Sequence, residues 1–189
     1  MEIKHLWARN APFFFIPTNQ INQELPMYPT QSEIGELFTY SKNDGSLTWI
    51  KPRIPERANL PAGSIKKDGY RYITIKRKLY SAHRLIWILF HGSEPDGIID
   101  HINRIKTDNR IENLRIATKE QNGANAGMYC TNKTGFKGVH YCKRDKRFIA
   151  SITFHGKIKR IGGYATAEEA SQAYQKASIS LNKEFSPFN

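Results

Sequence analysis

The stretch from residue 98 to residue 122 constrains the fold of this chain more than any other feature. An apolar run at 98–102 predicts a short strand, a second run at 113–117 predicts another, and Thr118 is typical of the residue that precedes a helix. Two strands, a polar loop between them and a helix after them predict a small hairpin with a helix packed beside it. The polar side chains of the stretch would then gather near one end of the hairpin.

These polar side chains are of the types that suit hydrolysis assisted by a single metal ion. Asp100 supplies a carboxylate and Asn122 an amide oxygen, and hard oxygen ligands of this kind are what Mg²⁺ takes in proteins. His101 adds an imidazole, whose ordinary pKa of about 6.5 suits a general base. Oxygen ligands alone favour Mg²⁺ or Mn²⁺ over zinc.

The order of these residues, with Asn113 between His101 and Asn122, resembles the HNH endonucleases, specifically the branch found in phage-encoded and intron-encoded homing enzymes. The similarity covers roughly residues 33–127, and the matching stretches are residues 80–87, 100–103, 106–115 and 121–122. The resemblance implies that Asp100 and Asn122 hold the metal ion. It also implies that His101 activates water and that Asn113 steadies the active-site loop.

Structural interpretations of the same residues stay open at this point. His101 beside Asp100 would also suit a surface pair, Asn113 would suit the cap of a turn, and Asn122 would suit an exposed helix face. His83 lies in an apolar stretch, residues 79–90, that predicts a helix. We therefore interpret it as a structural histidine and leave it out of the catalytic set.

Two features bear on the exact geometry of the predicted site. Neighbouring residues of a strand point to opposite faces, so a site shared by Asp100 and His101 implies, on the family resemblance, a break in the strand between them. Arg104 stands where related proteins often carry glycine in the turn. This departure concerns the geometry of the loop alone.

Zinc as a structural ion is not expected in this chain. Its two cysteines are Cys130 and Cys142, and they form no Cys-x-x-Cys pair. A zinc ribbon of the kind that braces some HNH proteins would therefore lack its ligands. The fold must depend on its apolar core.

The charge of the chain favours a nucleic acid as the partner. The formal net charge is +12 over 189 residues, which suits a protein that binds phosphates. Residues 1–32 hold two basic and two acidic residues, residues 33–130 hold sixteen and eleven, and residues 131–189 hold eleven and four. The C-terminal segment, with net +7, is the most basic per residue.

The C-terminal segment predicts a separate small unit. Three strand-like runs, at 138–141, 147–154 and 157–162, precede a helix opened by the capping box at Thr166 and Glu169. Ala170, Ala173, Tyr174, Ala177 and Leu181 share one face of that helix.

This unit, at about residues 134–189, resembles the plant ethylene-response-factor (Apetala-two) DNA-binding domain, through residues 135–139, 148–152, 161–164 and 167–170. The resemblance implies a sheet that enters the major groove of DNA. The candidates for its DNA-facing side are Lys137, His140, Arg144, Arg147, Ser151, Thr153 and Arg160. The lysine and the arginines would contact phosphates, which position a protein without specifying sequence.

The sequence therefore predicts an α+β protein, a ββα-metal HNH nuclease module followed by a small three-stranded antiparallel sheet packed on one helix. The expected divisions are an N-terminal extension at 1–32, the nuclease at 33–127, a linker at 128–133 and the DNA-binding domain at 134–189. With a short linker, each module is expected to keep its own activity when separated from the other.

The predicted function is metal-dependent cleavage of double-stranded DNA, by nicking or a double-strand break, in a homing or phage mobile-element role. Mg²⁺ or Mn²⁺ is the expected cofactor and double-stranded DNA the expected partner, with no protein partner evident. The alternative is a catalytically inactive regulator that binds DNA through the C-terminal domain. No signal peptide or membrane span is recognisable, so the expected location is the cytoplasm, that of the host cell if a phage encodes the protein.

Overall fold

A computed structural model describes residues 27–128 and 131–188. Most of the expected N-terminal extension, residues 1–26, lies outside the described residues, as do Cys130 and part of the expected linker. The described helices are α1 (Gln31–Leu37), α2 (Ala82–His91), α3 (Lys119–Asn125) and α4 (Ala167–Asn182). The strands are β1 (Phe38–Tyr40), β2 (Leu47–Trp49), β3 (Ser64–Ile65), β4 (Arg71–Ile75), β5 (Lys78–Ser81), β6 (Ile98–His101), β7 (Leu114–Ala117), β8 (Val139–Cys142), β9 (Arg147–Phe154) and β10 (Lys157–Tyr164).

All strand pairs are antiparallel and form small separate sheets in the described part of the chain. The β1–β2 and β6–β7 pairs are hairpins, β3, β4 and β5 form one three-stranded sheet, and β10, β9 and β8 form another in that order. With four helices, this is the mixed helix and strand content that the sequence predicts. No helix in residues 27–128 or 131–188 has the length and apolar character needed to cross a membrane.

The core of the N-terminal unit forms around α2. Leu85, Ile86 and Ile88 of this helix are almost fully buried, together with Ile34 of α1 and Ile73 of β4. Residues three and four apart share a helix face, so Leu85 and Ile88 lie together, and the buried Ala82 joins Leu85 and Ile86 in the same apolar stripe. The stripe packs on α1 and on the sheet.

The expected helix at 79–90 begins later than predicted. Leu79 lies in β5 and pairs with Thr74 of β4, so the apolar character of this stretch serves a strand first and a helix second. Lys76 and Arg77 form the connecting turn, both with positive φ, as two-residue hairpins of the I′ type require. Helix α2 starts only at Ala82.

The expected boundary between extension and nuclease, after residue 32, falls inside α1. Thr30 caps this helix in a capping box with Glu33, and Ile34 is completely buried. Tyr28 also packs against the core. The described part of the expected extension is therefore part of the N-terminal unit.

The hairpin and helix predicted at 98–122 are confirmed. Strand β6 pairs with β7 in a regular register that places Asp100 opposite Arg115 and His101 opposite Leu114. Thr118 caps α3 in a capping box with Gln121. The break expected between Asp100 and His101 is absent, because the ladder continues through His101 and the turn starts only at Ile102. The two side chains therefore leave the strand on opposite faces, and a site shared by them would lie across the end of β6.

The C-terminal unit is a sheet covered on one face by α4, as the sequence predicts. Ala150 and Ile152 of β9 and Val139 of β8 form its core with Ala170 and Tyr174 of α4. Gly138, with φ +72°, lies against the Tyr174 ring so closely that a Cβ atom there would stand 2.1 Å from it. The helix and the sheet are therefore in direct van der Waals contact at this end of the sheet.

Candidate active site

The Asp100 carboxylate is buried and held by two side chains. Arg115, its neighbour across the hairpin, donates from Nε at 2.9 Å to Oδ2 and forms an ion pair through Nη2 at 2.8 Å. Asn125 of α3 donates from Nδ2 to both carboxylate oxygens, at 2.9 and 3.0 Å. These contacts fix the carboxylate between the hairpin and the helix.

Asn125 is the α3 residue that is hydrogen-bonded to Asp100, whereas the predicted metal ligand on this helix is Asn122. The Asn125 amide also donates to the backbone carbonyl of His101 at 2.9 Å, and the residue is almost fully buried. Asn122 lies three residues earlier, on the same face of the helix, and is half-buried. Asn125 thus connects α3 to the end of β6.

His101 is buried on the other side of the strand. Its Nε2 lies 3.0 Å from Oδ1 of Asn109, a residue only 2% exposed. Because the amide oxygen accepts, this contact places the proton on Nε2 and leaves the Nδ1 lone pair available. Burial lowers the pKa of His101, while the hydrogen bond to Asn109 and the charge of Asp100 act to raise it. The ring is therefore neutral at pH 7.

Two further rings pack beside His101. The His83 ring meets it edge to face at 5.4 Å, and the Tyr70 ring lies 5.8 Å away. Burial, with the neighbouring imidazole, lowers the pKa of His83 to about 3. His83 is thus a neutral residue packed against the candidate base, and it remains outside the catalytic set.

Asn113 holds the loop between β6 and β7 in place. Its Oδ1 accepts from the Asn103 backbone at 3.0 Å, and its Nδ2 donates to the Asn103 side chain and to the Asp108 carbonyl. Arg110 binds the Asp108 carboxylate and lowers its pKa to about 2. Arg104 adopts φ +64°, the left-handed conformation that glycine takes without strain.

The Asp100 carboxylate suits a hard cation that takes few protein ligands. Within the described residues, Oδ1 accepts one hydrogen bond, from Asn125, whereas Oδ2 also carries Arg115. A carboxylate oxygen accepts more than one partner, so Oδ1 retains a lone pair for an ion. The described residues contain no group of three or more His, Cys, Asp or Glu side chains that could hold a metal, and a site here would use amide oxygen and water as its other ligands.

The expected DNA-facing residues of the C-terminal unit mostly share one face of its sheet. The pairing of β9 with β8 and β10 puts His140, Arg147, Ser151, Thr153 and Arg160 on the face opposite α4. Arg144 lies in the β8–β9 turn and pairs with Asp145 at 2.8 Å. Ser151 and Thr153 also line a cleft whose other wall includes Lys119 and Gly123 of α3.

Lys137 has a different position from the rest of that set. Its ammonium donates to the backbone carbonyls of Ala124 and Ala126, at the C-terminal end of α3. Burial and the neighbouring Arg104 lower its pKa to about 8. The structure gives this side chain an internal role as a cap of α3.

Three residues of the site were missed by the sequence reasoning. Asn125 carried a signal, since its spacing of three from Asn122 puts both on one helix face. Arg115 also carried one, because opposite charges pair well across a hairpin, although the register had to be known first. Asn109 carried none, since its contact with His101 depends on how a loop folds back.

Comparisons with known proteins match the segment that contains Asp100 and His101. Residues 80–124 match the family model described as HNH endonuclease, a segment that contains α2, the hairpin and the start of α3. The chain is 32% identical over 109 residues to the uncharacterized HNH endonuclease L560 of Acanthamoeba polyphaga mimivirus, covering 57% of this chain and 56% of that protein. The chain therefore carries an HNH endonuclease domain.

A second relative is Protein 3.8 of Escherichia phage T7, 30% identical over 76 residues, with 40% of this chain and 63% of that protein covered. The chain spans less than two thirds of the length of either relative. No solved structure matches it. Both relatives come from viruses, which agrees with the phage-type resemblance.

Proposed function

We propose that the chain is a divalent-metal-dependent endonuclease that hydrolyses phosphodiester bonds in double-stranded DNA. The observation that carries this proposal centres on Asp100 and His101, which lie within the matched segment. A buried Asp100, fixed by Arg115 and Asn125, precedes a buried neutral His101 at the end of one hairpin strand. Buried polar side chains need specific partners to offset the loss of hydration, and this pair has them.

Asp100 and Asn122 are the proposed ligands of Mg²⁺ or Mn²⁺. When bound, the ion would act as a Lewis acid on the phosphate and would stabilise the leaving 3′ oxygen. Asn125 would not bind the ion, since its amide nitrogen faces the carboxylate. Its role would be to orient Asp100, as hydrogen-bonded partners of ligating carboxylates do.

His101 is the proposed general base. Its Nδ1 would take a proton from a water molecule, whose oxygen attacks phosphorus in line as the bond to the 3′ oxygen breaks. Asn109 holds Nε2 and thereby selects the tautomer with a free Nδ1. Asn113 would keep the loop that carries Asn109 in position through its bonds to Asn103 and Asp108.

The C-terminal unit is proposed to bind the duplex through the sheet face opposite α4. This face carries Arg147 and Arg160, which are exposed and suited to phosphates, and His140, Ser151 and Thr153. The resemblance to the ethylene-response-factor domain supports a sheet placed in the major groove. One active site in a monomer would make a nick, and a double-strand break would need a second site or a second encounter.

A homing or phage mobile-element role is proposed from the viral origin of both relatives. The host cell is then the proposed place of action. A cleavage-site map on the genome that encodes the protein would test this role. Cuts confined to one or a few sites would support it, whereas unselective cuts would contradict it.

Supercoiled plasmid with Mg²⁺ tests the activity directly. The wild-type chain should convert it to nicked or linear DNA, and excess chelator should stop the reaction. His101→Ala should lower the rate by a factor of about 10²–10⁴ while DNA affinity stays within a few-fold, because a base acts mainly on the transition state.

The matched control is His91→Ala, an exposed histidine at the end of α2, which should cut like the wild type. Cleavage at the parental rate by His101→Ala would show that the base is assigned wrongly. Duplex binding without any cleavage by the wild type would favour the DNA-binding regulator instead.

A further inference from the structure

Arg115 connects the proposed metal site to the C-terminal end of the chain. On one side, its guanidinium binds the Asp100 carboxylate through Nε and Nη2. On the other side, Nη1 donates to the backbone carbonyl of Glu184 at 2.5 Å. The Phe185 ring covers the guanidinium, with the Cζ atom 4.0 Å from the ring centroid. One side chain thus contacts both units.

The contact of Arg115 with Asp100 and Phe185 is buried. The Arg115 side chain is 16% exposed and that of Asp100 is 6% exposed, and Phe185 is 7% exposed as a residue. Glu184 and Phe185 belong to the 3₁₀ turn Lys183–Phe185 that follows α4. Within a buried contact, hydrogen bonds and the attraction between a cation and a ring face are stronger than at a wet surface.

The geometry of the contact determines which oxygen of the Asp100 carboxylate stays available to a metal ion. Arginine has a planar fork of donors, and fixing its plane fixes the direction from which it approaches a carboxylate. Phe185 fixes the plane of the guanidinium and the Glu184 carbonyl fixes its rotation. Arg115 therefore occupies Oδ2 of Asp100 and leaves Oδ1 to Asn125 and to any ion.

We propose that Phe185 is a positioning residue of the nuclease site, which acts on Asp100 through Arg115. The proposal rests on the proposed function, because it assumes that Asp100 binds the catalytic metal. Without the ring, the guanidinium would rotate away from its present plane and move onto both carboxylate oxygens or off them. The nuclease site would then be complete only when the end of the C-terminal unit is seated on it.

The test compares two aromatic deletions in the same terminal segment of the full-length chain. Phe185→Ala removes the ring over Arg115. Phe188→Ala removes a half-buried ring that packs on Tyr174 of the C-terminal core, with centroids 6.0 Å apart. Both lose one phenyl group within four residues of each other, and only the first should affect Asp100.

The readouts are the Mg²⁺ concentration that gives half-maximal plasmid cleavage, the affinity for Mn²⁺ measured by electron paramagnetic resonance, and the KM for DNA. Phe185→Ala should need about 10–100-fold more Mg²⁺, the range typical when a partner of a metal ligand is lost. It should bind Mn²⁺ correspondingly more weakly, with KM for DNA near the wild-type value. Phe188→Ala should keep the wild-type metal dependence.

Two further variants separate the ring from the space it fills. Phe185→Tyr keeps an aromatic face over the guanidinium and should restore most of the metal affinity. Phe185→Leu fills the space without that face and should restore less. If Leu and Tyr behaved alike, packing alone would explain the contact, and the role assigned to the ring would be wrong.

The outcomes distinguish this inference from the proposed function. An unchanged metal dependence in Phe185→Ala, or an equal loss in Phe188→Ala, would overturn the inference while a cutting wild type upholds the function. A wild type that neither cuts plasmid nor binds Mn²⁺ would overturn both. A wild type that binds Mn²⁺ without cutting, and loses the ion with Phe185→Ala, would uphold the positioning contact and contradict the nuclease.

Discussion

At the scale of single residues, the burial of His101 and the neutral amide of Asn109 together set the protonation and the orientation of the candidate base. His101 can accept a proton only while it is neutral, and its burial keeps it so by lowering its pKa. Asn109 opposes this shift, because an acceptor at Nε2 stabilises the imidazolium. The neutral amide of Asn109 therefore orients the ring without charging it.

Replacing the Asn109 amide by a carboxylate tests how this neighbour affects the pKa of His101. In the wild type, the acid limb of the pH profile of kcat at saturating Mg²⁺ should lie below the ordinary histidine pKa of about 6.5, since burial lowers the pKa of His101. In Asn109→Asp, the negative charge should raise that pKa, so activity should be lost at a higher pH than in the wild type. The pH–rate profile of kcat measures this shift.

Asn43→Asp, at an exposed position, is the control for an added negative charge and should keep the wild-type limb. An Asn109→Asp profile identical to that of the wild type would show that the limb belongs to another group. A limb displaced to lower pH would contradict the sign of the effect.

The residue types of the site could be predicted from the sequence, but not every pairing. Asp100 and His101 are both buried and have specific hydrogen-bond partners. The sequence indicates Asn122 as a metal ligand but does not reveal that the hydrogen bond from α3 to Asp100 comes from Asn125, because a period of 3.6 residues per turn leaves two asparagines on one face. Choosing between them takes the rotation of the helix, which depends on packing with the rest of the chain.

At the scale of elements, α3 is a short helix whose last carbonyls need partners. A helix of seven residues leaves its C-terminal carbonyls without internal donors. Lys137 supplies an ammonium to two of them, where a positive charge also suits the helix dipole. The lysine before β8 thus stabilises the helix that carries both site asparagines.

Lys137→Met separates this role from the phosphate contact that the sequence predicts. As a helix cap, the lysine should contribute about 1 kcal/mol to the free energy of unfolding, and its loss should lower the Tm with little change in how DNA affinity depends on salt. As a phosphate contact, its loss should reduce the slope of log affinity against log salt by about 1. Thermal unfolding and binding titrations at several salt concentrations measure the two quantities.

Lys133→Met, an exposed lysine of the preceding loop, is the control and should leave the Tm unchanged. A Tm equal to that of the wild type together with a reduced salt slope would restore the first interpretation of Lys137.

The most predictable elements were those with local signals, such as α3 and α4 with their capping boxes. The start of α2 was missed because Leu79 and Tyr80 suit a strand as well as a helix.

At the scale of the whole molecule, the two units contact each other directly, which two modules joined only by a linker would not do. Arg115 contacts Glu184 and Phe185, and Glu120 of α3 accepts a hydrogen bond from the Gly156 backbone at the β9–β10 turn. No pattern in the sequence reveals such pairs, because they join residues far apart in the chain. The expectation that each module works alone stays a prediction, and these contacts argue against it.

The shared contacts also fix where the basic sheet face stands relative to the nuclease hairpin. A duplex that lies on this face should release counterions for each phosphate that a basic side chain neutralises, with a contribution to the salt slope of about 0.9 per phosphate. Arg147 and Arg160 both extend over Gly163 on this face. Lys176 is exposed on α4, which packs on the opposite face of the sheet.

Replacing both arginines by alanine in the full-length chain should therefore reduce the slope of log affinity against log salt by about 2. Plasmid cleavage at saturating DNA should keep its rate, since neither side chain touches Asp100 or His101. Lys176→Ala should leave the slope as it is. An equal reduction by Lys176→Ala would mean that the charge of the unit acts without a defined face. An unchanged slope in the double variant would move the DNA surface to the N-terminal unit.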